Sequence, residues 1–190
     1  MRMLDLTAEF SLEDFLHDPH VCTHLEAPAH LLKGGKRFDQ FGLDAFVADA
    51  VLLDLTSKKP GQPIDDEDLE GAEEAAGIGL REGEAVILRT DSSIHGASVR
   101  RAHAYLSVNA AEYLEFKRPI MVGIDTPSLD PHGSKELVAH SALMNAGILI
   151  LEGLCNLKNI QQSRFRVMAL PLKVRNSISP VRAVAILEET

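Results

Sequence analysis

The segment His20-Val21-Cys22-Thr23-His24-Leu25-Glu26-Ala27-Pro28-Ala29-His30 puts three histidines, a cysteine and a glutamate on even-numbered positions. The odd positions, Val21, Thr23, Leu25, Ala27, Ala29 and Leu31, are apolar apart from one threonine. On an extended chain a period of two sends these two sets to opposite faces. Pro19 and Pro28 argue against a continuous helix across the segment. Imidazole and carboxylate donors together suit zinc, manganese or iron, with bonds of about 2.0–2.2 Å. A straight strand would hold His20 and Glu26 about 20 Å apart at roughly 3.3 Å per residue. Sharing one ion therefore demands a sharp bend near Cys22 and Thr23. Any one of these histidines alone reads as a surface group or a satisfied core residue. Three of them with a carboxylate in eleven residues favour a metal site. A Cys22–His24 nucleophilic pair is the weaker reading, because rival ligands surround it.

The elements that would position this segment alternate between α and β. Apolar, β-branched runs at 50–55, 85–88, 120–124, 148–151 and 183–187 read as buried strands, and 164–173 alternates as a half-exposed strand does. Asp65 caps a helix through about Ala76 that ends at Gly77, its acidic first turn matching the helix dipole. Its acidic run reads as a solvated face rather than an interaction surface. Ser107 opens a second helix through about Phe116, and Ser134 a third that Gly147 stops. Lys58 to Pro63 is a turn rather than a domain boundary. One α/β domain over residues 1–190 is the expectation.

Composition narrows the function classes. The chain has 190 residues, 45% hydrophobic and 25% charged, which excludes a disordered tail, a coiled coil and a fibrous repeat. No apolar run approaches the roughly 18–20 residues of a membrane span. The start, Met1-Arg2-Met3-Leu4-Asp5, lacks a basic-then-apolar signal pattern, so a cytoplasmic protein with no membrane partner is expected. A net charge of −9 without a basic stripe excludes nucleic acid as a partner. Two distant cysteines, Cys22 and Cys155, form no disulfide framework.

The pattern His20-x-Cys22-Thr23-His24-x-Glu26-x-Pro28-x-His30 resembles the His-x-Gly-Thr-His-x-Asp-x-Pro-x-His signature of the cyclase family of metal-dependent hydrolases. That family includes bacterial kynurenine formamidase and isatin hydrolase. Gly123-Ile124-Asp125-Thr126-Pro127-Ser128-Leu129-Asp130 is similar to the family's Gly-Ile-Asp-x-x-Ser-x-Asp segment. His140 and Glu152 keep the twelve-residue spacing of its His-to-Glu ligand pair. The resemblance runs from about residue 4 to residue 190. It implies a swivelling β/β/α fold with a mixed sheet, assembled as a homodimer or homotetramer. It also implies one or two divalent ions per chain, zinc or manganese. His20, His24 and Glu26 would hold one ion; Glu26, His140 and Glu152 would hold a second, with Glu26 bridging. His30 matches the histidine that is not a ligand and transfers protons. The implied reaction is attack by metal-activated water on an amide-type C–N bond of a small molecule. Arylformamidase-like hydrolysis leads, with lactam opening or a cyclisation or dehydration as alternatives.

Three departures qualify that picture. Glu26 replaces aspartate and lengthens the arm by one methylene. Cys22 replaces glycine at the required bend, with packing the expected role of its thiol and ligation the rival. Only 19 residues precede His20, fewer than the family usually has, so part of the substrate pocket is expected to be either missing or supplied by a neighbouring subunit. These departures keep a ligand-binding protein without turnover, or a purely structural metal, as rival readings. Asp125 and Ser128 are expected to orient ligand histidines or shape a turn. His132 reads as a surface turn residue. His95 and His103, with Arg100 and Arg101, read as a loop near the site entrance, and His17 has no assigned partner.

Overall fold

The computed structural model describes residues 1–9, 11–20, 22–92 and 102–188. Val21, His95, Arg100 and Arg101 lie outside the described residues. In chain order the elements are β1 (Arg2–Asp5), α1 (Leu12–His17), β2 (His24–Glu26), β3 (Val47–Asp54), β4 (Pro63–Ile64), α2 (Asp66–Ala76), β5 (Ala85–Arg89) and β6 (Tyr105–Leu106). There follow α3 (Val108–Lys117), β7 (Met121–Ile124), α4 (Val138–Asn145), β8 (Leu149–Glu152), β9 (Arg164–Ala169), β10 (Ile178–Pro180) and β11 (Ala183–Leu187).

A nine-stranded mixed sheet has the order β1-β11-β9-β3-β5-β7-β8-β2-β10, and β4 pairs with β6 apart from it. The central strands β3, β5, β7 and β8 are parallel, whereas both flanks are antiparallel. The central strands read as continuous apolar runs because both of their faces are buried. Ala50, Ile87, Met121 and Leu151 point into the core within the curl of the sheet, with Leu25, Phe38 and Phe46. Val51, Leu88, Val122 and Ile150 point the other way, against α2, α3 and α4 through Leu69, Leu114 and Leu143. The expected mixed α/β class is the class observed. No helix among the described residues is long and apolar enough to cross a membrane.

Asp65 and Gly77 bound α2 as expected, and Glu67, Glu70 and Glu74 on it are exposed. Ser107 caps α3 by accepting from Ala110 N at 3.2 Å. The helix expected to open at Ser134 begins four residues later, at Val138. Its first turn is capped from a distance: the Asp130 carboxylate accepts from Ala139 N at 2.9 Å and His140 N at 3.1 Å. Residues 131–137 are spent bringing Asp130 to that helix end. The strand expected over 164–173 alternates as predicted but stops at Ala169.

Candidate metal centre

Strand register builds the centre's buried half. β2 pairs with β8 so that His24 stands opposite Glu152 and Glu26 opposite Ile150. Side chains two apart share a face, so His24, Glu26 and Glu152 project together towards α4. Leu25, between them, enters the inner core. His140, in the first turn of α4, meets this face: its Nε2 lies 3.4 Å from Glu26 Oε2 and 3.2 Å from Glu152 Oε1. His24 Nε2 lies 3.4 Å from both Glu26 Oε1 and Glu152 Oε2.

The outer half depends on the bend. The chain turns at Cys22 and Thr23, bringing His20 Nε2 to 3.2 Å from Glu26 Oε1 instead of the separation a straight strand would impose. Thr23 is buried and pins the bend, its Oγ1 donating to Gly153 O at 2.6 Å and accepting from Ala8 N at 2.8 Å. The close approach falls on Gly153, where φ is +68° and a Cβ would stand 2.8 Å from the Cys22 carbonyl oxygen. Cys22 is not among the residues with positive φ, so cysteine fits where the resemblance led one to expect glycine. The extended, two-faced segment expected over 20–30 is confined to His24–Glu26; His20 precedes the bend and His30 lies on a 3-10 turn over Pro28–His30. Leu31, placed by that pattern on the apolar face, is 37% exposed.

Each ligand-type imidazole but one has a partner for its far nitrogen. His24 Nδ1 donates to the Cys22 carbonyl at 2.7 Å, His140 Nδ1 to Asp130 Oδ2 at 2.5 Å, and His20 Nδ1 to Asp18 Oδ1 at 3.2 Å. Donation at Nδ1 leaves the Nε2 lone pair facing the centre, the tautomer a metal ligand needs. Asp130 in turn accepts at its carbonyl from His103 Nε2 at 2.9 Å, which draws buried His103 into support of the site. Asp125 and Ser128 do not hold these imidazoles: Asp125 Oδ1 accepts from Thr90, and Ser128 Oγ accepts from Asp130 N. Asp130 and Asp18 are the acceptors that sequence reasoning missed. Aspartate and proline ahead of a helix, Asp130-Pro131, was the available signal, since aspartate is a strong capping residue.

The donor set fits a divalent ion. Among the described residues, His24 Nε2 and Glu26 Oε2 are buried side-chain atoms with no hydrogen-bond partner. Two triads, His20–Glu26–His30 and His24–Glu26–Glu152, have ligand atoms all within 4.8 Å of one another. Two buried carboxylates with neutral imidazoles carry two negative charges in a poorly solvated place, which a divalent cation neutralises. Without an ion, protons take its part. Burial opposes charge on His24 and His140, but the Glu152 and Glu26 carboxylates outweigh it, pushing His24 up to about 10 and His140 to about 11. Burial likewise opposes charge on Glu26, yet His20 and His24 hold its carboxyl well below the usual range. Burial pushes the Cys22 thiol up to about 11, and Cys22 reaches His24 through its carbonyl, so neither a thiolate ligand nor a nucleophilic pair is formed. His17 and His132 are exposed, outside the cluster.

The putative cyclase family model matches residues 4–131. Kynurenine formamidase from Salinibacter ruber is 34% identical over 168 residues, 87% of this chain and 74% of that protein. The Bacillus cytotoxicus kynurenine formamidase is 32% identical over 166 residues, 87% of this chain and 75% of its own. A solved potential metal-dependent hydrolase with cyclase activity superposes with a TM-score of 0.80 at 27% identity, covering 100% of this chain and 99% of that one. Isatin hydrolase A from Labrenzia aggregata, at 23% identity and a TM-score of 0.84 over 98% of this chain and 94% of its own, shares the fold. Family match, relatives and fold agree with the buried cluster of imidazoles and carboxylates: the chain belongs to the cyclase family of metal-dependent hydrolases.

Proposed function

We propose that this hydrolase cleaves an amide-type C–N bond in a small aryl-formamide substrate of the N-formylkynurenine kind. The observation that carries the reading is the convergence of four imidazole nitrogens on two buried carboxylates, with His24 Nε2 and Glu26 Oε2 unpartnered. The kynurenine formamidase relatives favour the formamide over the lactam that the isatin hydrolase name suggests.

His20, His24, Glu26, His140 and Glu152 would hold one or two ions of zinc or manganese. A divalent ion bound there supplies acidified water and a polarised carbonyl. His30, 24% exposed beside Glu26, takes the proton from the attacking water and delivers it to the departing nitrogen. Asp130, Asp18 and the Cys22 carbonyl keep the ligand imidazoles in the tautomer that offers Nε2. We also read the protein as a cytoplasmic homodimer or homotetramer. Exposed Met3, Leu43, Phe116 and Leu172 offer apolar surface for self-association.

A panel of formanilides, N-formylkynurenine and isatin, assayed with and without chelator, tests the reading. Chelator-sensitive release of formate from the formamides supports it. Saturable binding with no product would instead identify a binding protein on an enzyme's fold.

A further inference from the structure

We infer that a basic rim beside the His30 turn, formed by Lys33, Lys36, Lys173 and Arg175, binds a carboxylate on the part of the substrate remote from the scissile bond. The inference rests on the formamide-hydrolase reading and deepens it, because it names an anionic substrate class and the residues that select it. Two segments far apart in the chain meet at the end of β2. Ile178 stands opposite Glu26, the Ser177 carbonyl accepts from Ala27 N at 2.8 Å, and the Asn176 carbonyl accepts from Phe38 N at 3.2 Å. The loop carrying Lys173 and Arg175 is thereby tied to the segment that carries His30. From the other side, the chain after His30 folds back on its own turn. Lys36 O accepts from Ala29 N at 3.1 Å, and a Cβ on Gly35 would stand 2.6 Å from the Pro28 carbonyl carbon.

What sets these cations apart is the lack of carboxylates beside them. The chain has 19 basic and 28 acidic residues, and elsewhere Lys58, Arg89, Lys117, Arg164, Arg166 and Arg182 each stand against a carboxylate. Among the described residues, Lys33, Lys36, Lys173 and Arg175 form no ion pair, and Lys36 Nζ instead lies 5.5 Å from the centre of the Phe41 ring. The carboxylate at this place is Asp39, and Arg37 Nε takes it at 3.1 Å. Arg37 holds the Asp39 carboxyl below its usual value and Arg175 adds to the effect, which puts Arg175 within electrostatic reach of the same spot. Like charges gathered in this way repel one another, a cost that a bound anion relieves. The sequence shows no basic stripe because the fold assembles the rim from two separate segments.

Position ties the rim to the reaction. His30 Nε2 stands 3.7 Å from Glu26 Oε1, so the proton-transfer group, the buried carboxylate and the first two cations share the short stretch from Glu26 to Lys36. Leu31, between His30 and Lys33, is 37% exposed and offers apolar surface for an aryl ring. Along this stretch the order is polar centre, apolar step, cations. An aryl formamide with a carboxylate at its far end has the same order. Lysine and arginine carry their charge on long stems, so the rim meets that end while the formyl group occupies the centre. Each exposed contact adds little, but several together select the anion against a neutral analogue.

Metal-loaded protein would be assayed with N-formylkynurenine and with its carboxamide, which lacks the negative charge. The proteins compared are wild type, the double variants Lys33→Gln with Lys36→Gln and Lys173→Gln with Arg175→Gln, and a distant control, Lys59→Gln with Lys158→Gln. Wild type and control should favour the carboxylate in kcat/KM by more than about fivefold, through KM rather than kcat, because the contact holds ground state and transition state alike. Each rim variant should narrow that preference by more than about twofold, the scale of one or two exposed ion pairs. Salt at about 0.5 M should narrow it in wild type as well. No preference in wild type, or one that survives both salt and the rim variants, overturns the inference and leaves the rim a solvated surface. Turnover of neither formamide by wild type overturns the hydrolytic reading instead. Calorimetric titration with kynurenine and its carboxamide then still decides the rim: tighter kynurenine binding that the rim variants weaken upholds it, and equal binding overturns it.

Discussion

His24 and Glu152 face each other across β2 and β8, with Nε2 and Oε2 3.4 Å apart and both side chains buried. Sheet register, not loop conformation, sets this pair. Sliding β2 by one residue would send His24 and Glu26 into the inner core and Leu25 to the polar face, which the hydrophobic pattern forbids. The inner half of the centre is therefore as rigid as the sheet, and its variable parts are the bend before β2 and the turn after it.

Asp130 links the helix to the centre by capping α4 and holding His140 Nδ1. Asp130→Asn keeps a carbonyl oxygen for the cap but loses the charge that orients the imidazole. Metal affinity should fall about ten- to hundredfold while the fold survives. Competition titration together with far-ultraviolet circular dichroism checks this; unaltered affinity would remove Asp130 from the site.

Gly153 and Gly77 separate strain from collision. Both have positive φ, +68° and +64°, but a Cβ at Gly153 meets the Cys22 carbonyl at 2.8 Å and one at Gly77 meets nothing within 4 Å. Gly153→Ala should therefore cost clearly more than Gly77→Ala, whose strain alone is about 1 kcal/mol. It should also loosen metal binding, because the bend carrying His20 must shift. Urea denaturation of both variants measures the difference, and equal costs would contradict the close approach.

Metal uptake should release protons. Burial resists charge on His24 and His140, but the neighbouring carboxylates raise them from an ordinary 6.5 to about 10 and about 11, so both are imidazolium in metal-free protein at neutral pH. A metal needs them neutral, so affinity should rise with pH. The paired imidazoliums stabilise the metal-free fold fully below about 6.5, and that stability is lost as pH climbs through about 10 to 11. Calorimetry in buffers of differing ionisation enthalpy detects the release, and chelated protein should melt earlier in alkaline solution. Binding without proton release would contradict the pairing.

His20, His24, Glu26 and His30 are legible as coordinating groups because residue type and close spacing suffice, and the bend follows from chain geometry alone. His140 and Glu152 are not legible locally. Their separation from Glu26 closes only through strand pairing, and they entered through the family resemblance. Asp130 escaped notice because its partner is ten residues on and across a turn, and that turn also made Ser134 look like a cap. The buried strands β3, β5, β7 and β8 announce themselves as apolar runs. β1, β4, β6 and β10, of two to four residues, are too short to show a period.

The central claim, that this chain carries a metal-dependent hydrolytic centre, is tested most directly by elemental analysis of protein purified without added metal or a metal-affinity tag. One to two equivalents of zinc or manganese per chain are predicted, removable by chelator and restored on reconstitution. A metal content near zero, with no uptake on reconstitution, would contradict it.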